Sequence, residues 1–242
     1  KPNHLKTMLV FTATIVLALA WTVGVHAAVA KDMFILAMDR NITSADPAIA
    51  YDQPSGHITY NVYDTLVEYQ GGDVSRVHPA LAESWEISPD GKTYTFHIRK
   101  GVKFHNGDLL TAEDVKYSFE RAATMNKGGA WMISNFVESI DVIDDYTVSI
   151  HLIAPFAGYL NVLTYPVHSI MSKNWVEAHG GYGPDEVNAF INENTNGTGP
   201  FKLNRWDKGN MVVFDRNDDY WREPTPFKRA VVRIIPEPTT RA

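Results

Sequence analysis

Side chains able to do chemistry lie far apart along this chain. Nine histidines are present, none in the His-x-x-x-His or His-x-His spacing that brings two imidazoles to one metal. His97 and His105 are readable as ligands of a site assembled in space, or as strand-edge and turn residues. Cysteine is absent, which excludes disulfides, thiolate nucleophiles and thiolate metal sites. Asp144 and Asp145 form an acidic pair, but neighbours at a turn point apart and are solvated, whereas a general acid and base must converge. No glycine-rich phosphate loop or nucleophile elbow occurs, and no cofactor site is expected. Enzyme signals in the chain are therefore weak.

Three places offer contacts for a bound solute. Asp39, Arg40 and Asn41 follow the apolar run Met33 to Met38, where polar residues at a strand end either meet a ligand or simply end the strand. Trp131 follows Gly128 and Gly129, and either presents its ring to a cleft or pins a loop. Gly199 belongs to Gly197-Thr198-Gly199-Pro200, where two glycines around a small residue let the backbone approach another backbone or a ligand closely.

Composition narrows the partner. The 22 Lys and Arg against 28 Asp and Glu leave a net charge of −6 with no basic run. Phosphate backbones need clustered cations, so nucleic acid is not expected. A hydrophobic share of 45% is that of a globular chain with a core.

The elements that position these residues are readable from period and punctuation. Trp85 and Ile87 alternate with polar neighbours, as do Tyr94, Phe96 and Ile98, and Ser88-Pro89-Asp90-Gly91 between them has turn chemistry. A hairpin is predicted, with Trp85 and Ile87 sharing the buried face. Thr111 is the expected N-cap of a helix in which Val115, Ser118, Phe119 and Ala122 face inward and Lys116 and Glu120 face out. Ile140 to Leu152 predicts a second hairpin about Asp144-Asp145. The stripe Ile58, Val62, Leu66 predicts a helix running into a strand at Leu66 to Tyr69, with Tyr63 and Tyr69 as core tyrosines. Val212 to Phe214 and Val231 to Ile235 are β-branched strand runs.

At the front, Lys1 and Lys6 precede an apolar run from Met8 to Val25, and small residues follow. This is a signal-peptide layout, cleaved after Ala30 or, in the alternative, after Ala27; an uncleaved membrane anchor is the rival. Without cysteine no lipid attachment is expected there.

The run Leu81 to Ala122, LAESWEISPDGKTYTFHIRKGVKFHNGDLLTAEDVKYSFERA, resembles the characteristic block of the ABC-transporter solute-binding proteins that take oligopeptides, dipeptides or nickel. A second block, Asn196 to Leu203 followed by Arg216 to Trp221, resembles the same family's return segment. The resemblance implies an α/β, two-lobe periplasmic-binding-protein-like fold of which this chain is an N-terminal fragment holding the first lobe. That lobe has a mixed sheet built from residues 31–61 and 197–242 and an inserted α+β subdomain at 62–196. The resemblance also implies a periplasmic receptor that captures a peptide or similar small solute and delivers it to a membrane permease, monomeric when full length. Alternatives are a nickel or haem receptor of the same family, or an enzyme whose catalytic residues lie in the missing half.

Overall fold

The computed structural model describes residues 32–241. The expected export segment, 1–30, lies outside them. Among the described residues, two four-stranded sheets and a two-stranded ribbon account for the strands. In the first sheet β1 (Met33–Met38) lies parallel to β10 (Arg229–Ile234), with Leu36 opposite Val232. The strands β9 (Met211–Arg216) and β8 (Phe201–Asp207) continue it antiparallel. This mixed sheet thus draws one strand from the front of the chain and three from the back. Its inward face carries Val212, Phe214 and Val232, the β-branched and aromatic residues that suit a half-buried pleat.

The second sheet has the order β4, β5, β7, β6. Strands β4 (Ala82–Ile87) and β5 (Thr93–Ile98) form the hairpin that the Ser88 to Gly91 turn predicts, and β6 (Val137–Asp144) and β7 (Thr147–Leu152) form the second. Tyr94, Phe96 and Ile98 of β5 alternate inward with Val148, Ile150 and Leu152 of β7, all buried. The outer hairpin strand departs from the expectation: Ile87 is 47% exposed and Trp85 only half-buried, tilted against Phe96 at 6.4 Å between ring centroids. The reason is position. β4 is an edge with one lateral neighbour, and a bulge between Ala82 and Ser84 shifts its register against β5.

Between the sheets run the helices. α1 (Gln53–Val62) buries Ile58 and Val62 in a cluster with Val212 and Phe214 of the first sheet. Each such side chain, fully buried, contributes about 1.5–3 kcal/mol. A short ribbon, β2 (Val67–Gln70) with β3 (Asp73–Pro79), follows. α2 (Ala112–Met125) covers the second sheet, with Val115, Phe119 and Ala122 buried as its stripe predicts. Thr111 caps it in a box with Asp114, whose Oδ2 accepts from the Thr111 N–H at 2.9 Å and its hydroxyl at 3.0 Å. The remaining helices are short: α3 (Trp131–Ser134), α4 (Tyr159–Val162), α5 (Lys173–Ala178), α6 (Ala189–Glu193) and α7 (Pro238–Arg241). Among the described residues no helix is long and apolar enough to cross a membrane.

Candidate functional site

A cleft of about 610 Å³ opens beside α1. One wall is the turn Ala50 to Gln53 and the first two turns of α1, with His57, Tyr60 and Asn61; the other is Tyr165 to Val167, with Gly129 and Met132 beside it. A second hollow of about 840 Å³ shares Tyr60 and Tyr165 with the first and runs on past Asp64, Tyr69 and Phe156.

The first wall is fixed at the helix start. Asp52 is the N-cap of α1, with Oδ1 accepting from the Ser55 N–H at 2.9 Å and Oδ2 from the hydroxyls of Ser55 at 2.8 Å and Thr43 at 2.7 Å. Burial works against the charge, but these bonds outweigh it and hold the Asp52 carboxyl below its ordinary value. The cap therefore orients the carboxylate and keeps it ionised. The His57 pKa is lowered too, by burial, which in a histidine favours the neutral ring.

The far end of α1 is held by a crossing. The Gly199 N–H donates to the Val62 carbonyl at 2.9 Å, and a Cβ on Gly197 would stand 2.0 Å from that same oxygen. Only glycine lets the two backbones meet there. Thr198, between them, donates to Asp64 Oδ2 at 2.8 Å. Asp64 also accepts from Tyr220 at 3.2 Å and Trp221 Nε1 at 3.0 Å, tying the chain's last third to the residue two past the helix. His105 closes the crossing by pointing Nε2 at the Gly199 carbonyl, 3.0 Å away.

The second wall rests on α2. Ser118 accepts from the Met171 N–H at 2.9 Å, Phe119 packs edge-on against His168 at 5.2 Å, and the Ile170 N–H donates to the Asp64 carbonyl at 3.0 Å. Both walls therefore hang from the same buried scaffold.

The candidates named from sequence distribute unevenly around this cleft. Arg40 reaches its edge, where Nη2 donates to Gln53 Oε1 at 3.0 Å and Nε lies 3.7 Å from Asp39. Asn41 is exposed and faces the β8–β9 turn, its Oδ1 3.9 Å from where a Cβ on Gly209 would stand. Trp131 is 47% exposed and opens α3, between the cleft residues Gly129 and Met132. Gly199 is buried in the crossing, its carbonyl taken by His105 and by Asn217 Nδ2 at 3.0 Å. Sequence reasoning passed over Tyr51, Tyr60 and Tyr165, which are 59%, 60% and 49% exposed. The signal for Tyr60 was present: it lies midway between Ile58 and Val62, off the buried stripe of its own helix.

No group of three or more acidic, histidine or cysteine side chains suited to a metal ion occurs among the described residues. The cleft has the means to bind, with flat rings and amide hydrogen-bonding groups, but no converging nucleophile and base.

Residues 76–242 match the family described as bacterial extracellular solute-binding proteins, family 5 Middle. The chain belongs to that family. It is 36% identical over 219 residues to an Escherichia coli K12 protein named "Probable D,D-dipeptide-binding periplasmic protein DdpA", covering 89% of this chain and 42% of that one. It is 35% identical over 198 residues to Heme-binding protein A of Haemophilus influenzae, covering 74% and 36%. Among solved structures, the ABC transporter-associated periplasmic binding protein DppA from Helicobacter pylori, in complex with the peptide STSA, superposes with a TM-score of 0.76 at 37% identity. That match covers 86% of this chain and 44% of the other. This family 5 chain therefore has the fold of periplasmic binding proteins and spans under half the length of the relatives it matches. The relatives are binding proteins by name, not enzymes.

Proposed function

We propose that this chain is part of the substrate-binding component of an ABC transporter, capturing a peptide or similar small solute in the periplasm for delivery to a membrane permease, without catalysis. The observation that carries this is the cleft beside α1: aromatic and amide-lined, built on rigid elements, and lacking a catalytic set. The family membership and the peptide in the Helicobacter pylori relative support the ligand class. We place Arg40 and Trp131 at the rim of the site, and assign residues 31–61 and 197–242 to the core of one lobe with 62–196 inserted. The parallel pairing of β1 with β10 supports that division, although Met171, Val176 and Ile191 of the insert join the core cluster of the first sheet. A second lobe, outside this chain, would close on the ligand about a hinge.

A haem receptor is the second reading, favoured by the name of the Haemophilus influenzae relative. Calorimetry on the full-length natural protein with a di- and tripeptide mixture, and separately with haemin, decides between them. Saturable peptide binding with the peptides recovered intact by mass spectrometry supports the proposal; cleaved peptides would make the protein an enzyme, and haemin binding alone would make it a haem receptor.

A further inference from the structure

The cleft beside α1 has a charge and shape that narrow its ligand further, given that it is the solute site. No lysine or arginine lines it. Asp52 is its sole acid, and both of its oxygens are committed to Ser55 and Thr43. His57 is driven toward its neutral form by burial. Arg40 stands outside the lining and is engaged with Gln53 and Asp39. No cation of the lining is thus free to pair with an anionic group of a ligand, and the ionised Asp52 would repel one.

The walls favour flat, apolar matter instead. Tyr60, 60% exposed, projects from α1 and lines the cleft together with Tyr165, a position that suits stacking. Two small residues leave room for it. A Cβ on Gly56 would sit 3.3 Å from the Tyr60 ring, and one on Gly129 would sit 3.1 Å from Val167 and 3.6 Å from Tyr51. Side chains at those two positions would narrow the gap between the rings. Tyr60 also lines the neighbouring hollow with Tyr165, so these two rings stand where one cavity passes into the other.

We propose that this cleft is an aromatic slot, selecting solutes whose inserted part is an uncharged planar ring, with Tyr60 as the residue that sets the preference. In a peptide that part is a Trp, Tyr or Phe side chain, and the peptide's charged termini are held elsewhere.

Calorimetry on the full-length natural protein with Ala-Trp, Ala-Ala and Ala-Asp tests this. Ala-Trp should bind about tenfold or more tighter than Ala-Ala, with Ala-Asp the weakest, the size expected from burying and stacking one ring. Tyr60→Ala should erase most of the Ala-Trp advantage, read as the ratio of Ala-Trp to Ala-Ala affinity in each protein, and Tyr60→Phe should keep that ratio. Tyr60 is 60% exposed, so the variants should fold, which circular dichroism checks. Equal affinity for the three dipeptides, or an Ala-Trp advantage that survives Tyr60→Ala, would overturn the slot while leaving peptide capture intact. If no dipeptide binds, the peptide reading fails and the planar probe becomes haemin: binding weakened by Tyr60→Ala supports the slot, and no haemin binding, or binding indifferent to Tyr60→Ala, overturns it.

Discussion

Arg121 on α2 and Asp46 in the loop after β1 form a two-pronged ion pair in the dry interior, Nη1 to Oδ1 at 2.8 Å and Nη2 to Oδ2 at 2.5 Å, with the side chains 1% and 0% exposed. Asp46 also shapes the turn that leads into the cleft wall, accepting from the Ala48 N–H at 3.0 Å through its carboxylate and from the Ala50 N–H at 2.8 Å through its carbonyl. Removing one partner strands the other charge. Arg121→Met should cost about 3–5 kcal/mol in urea unfolding, and pairing it with Asp46→Asn should recover a substantial part. A loss in the double variant equal to the sum of the two single losses would show that the two charges are not coupled.

Among the glycines of the described residues, Gly197 has the least room for a side chain. An added methyl would stand 2.0 Å from the Val62 carbonyl oxygen and 2.7 Å from the Tyr63 ring, and the first of these is backbone that cannot turn aside. Gly197→Ala should lose about 3 kcal/mol or more, or fail to fold. Gly72→Ala, with nothing within 4 Å of the new atom, is the control and should be close to neutral. Similar melting temperatures for the two would refute the crossing.

Burial holds two histidine rings neutral in the folded protein: it lowers His105 to about 4 and His168 to about 3, against an ordinary 6.5. Below pH 6.5 the unfolded chain takes up protons that these rings refuse, so their contribution is complete above that value. It is lost as pH falls toward 4 for His105 and toward 3 for His168. Buried Asp64 and Asp114, raised chiefly by burial, act in the opposite sense, so the test is a difference. His105→Gln should lose less stability than the parent between pH 7 and 4.5, by about 1–2 kcal/mol. Parallel pH profiles for the two would remove His105 from the account.

Trp85 and Phe96 face each other across the first hairpin but differ in burial. Phe96 is 0% exposed in a central strand, while Trp85 sits half-covered on the edge. Phe96→Ala should cost about 3–5 kcal/mol and Trp85→Ala only about 1–2. Thermal melts of both variants check the order, and a larger loss at Trp85 would mean that the edge is covered in solution.

Local chemistry in the chain was enough to place both hairpins, the capped helix α2, the helix α1 and three of the four strands of the first sheet, β8 being the one it left out. A period of two, a Pro-Asp-Gly turn and a Thr cap act over a few residues, and nothing distant overrules them at Tyr94, Phe96 or Val115. The long block from Leu81 to Ala122 likewise carried the family. The chain alone left two things to the tertiary structure. Lateral position in a sheet is one: alternation marks Ile87 as readily as Phe96, and only the order β4, β5, β7, β6 makes the first an exposed edge residue and the second core. The make-up of the cleft is the other. Tyr51, Tyr60 and Tyr165 are far apart in sequence and each looks like an ordinary surface or core tyrosine; they come together because Asp46 and Arg121, the Ser118–Met171 bond and the Gly197–Gly199 crossing bring the turn before α1 up to the segment after α4. Those contacts join residues that no periodicity relates, since each depends on the folded path of the whole chain rather than on its neighbours.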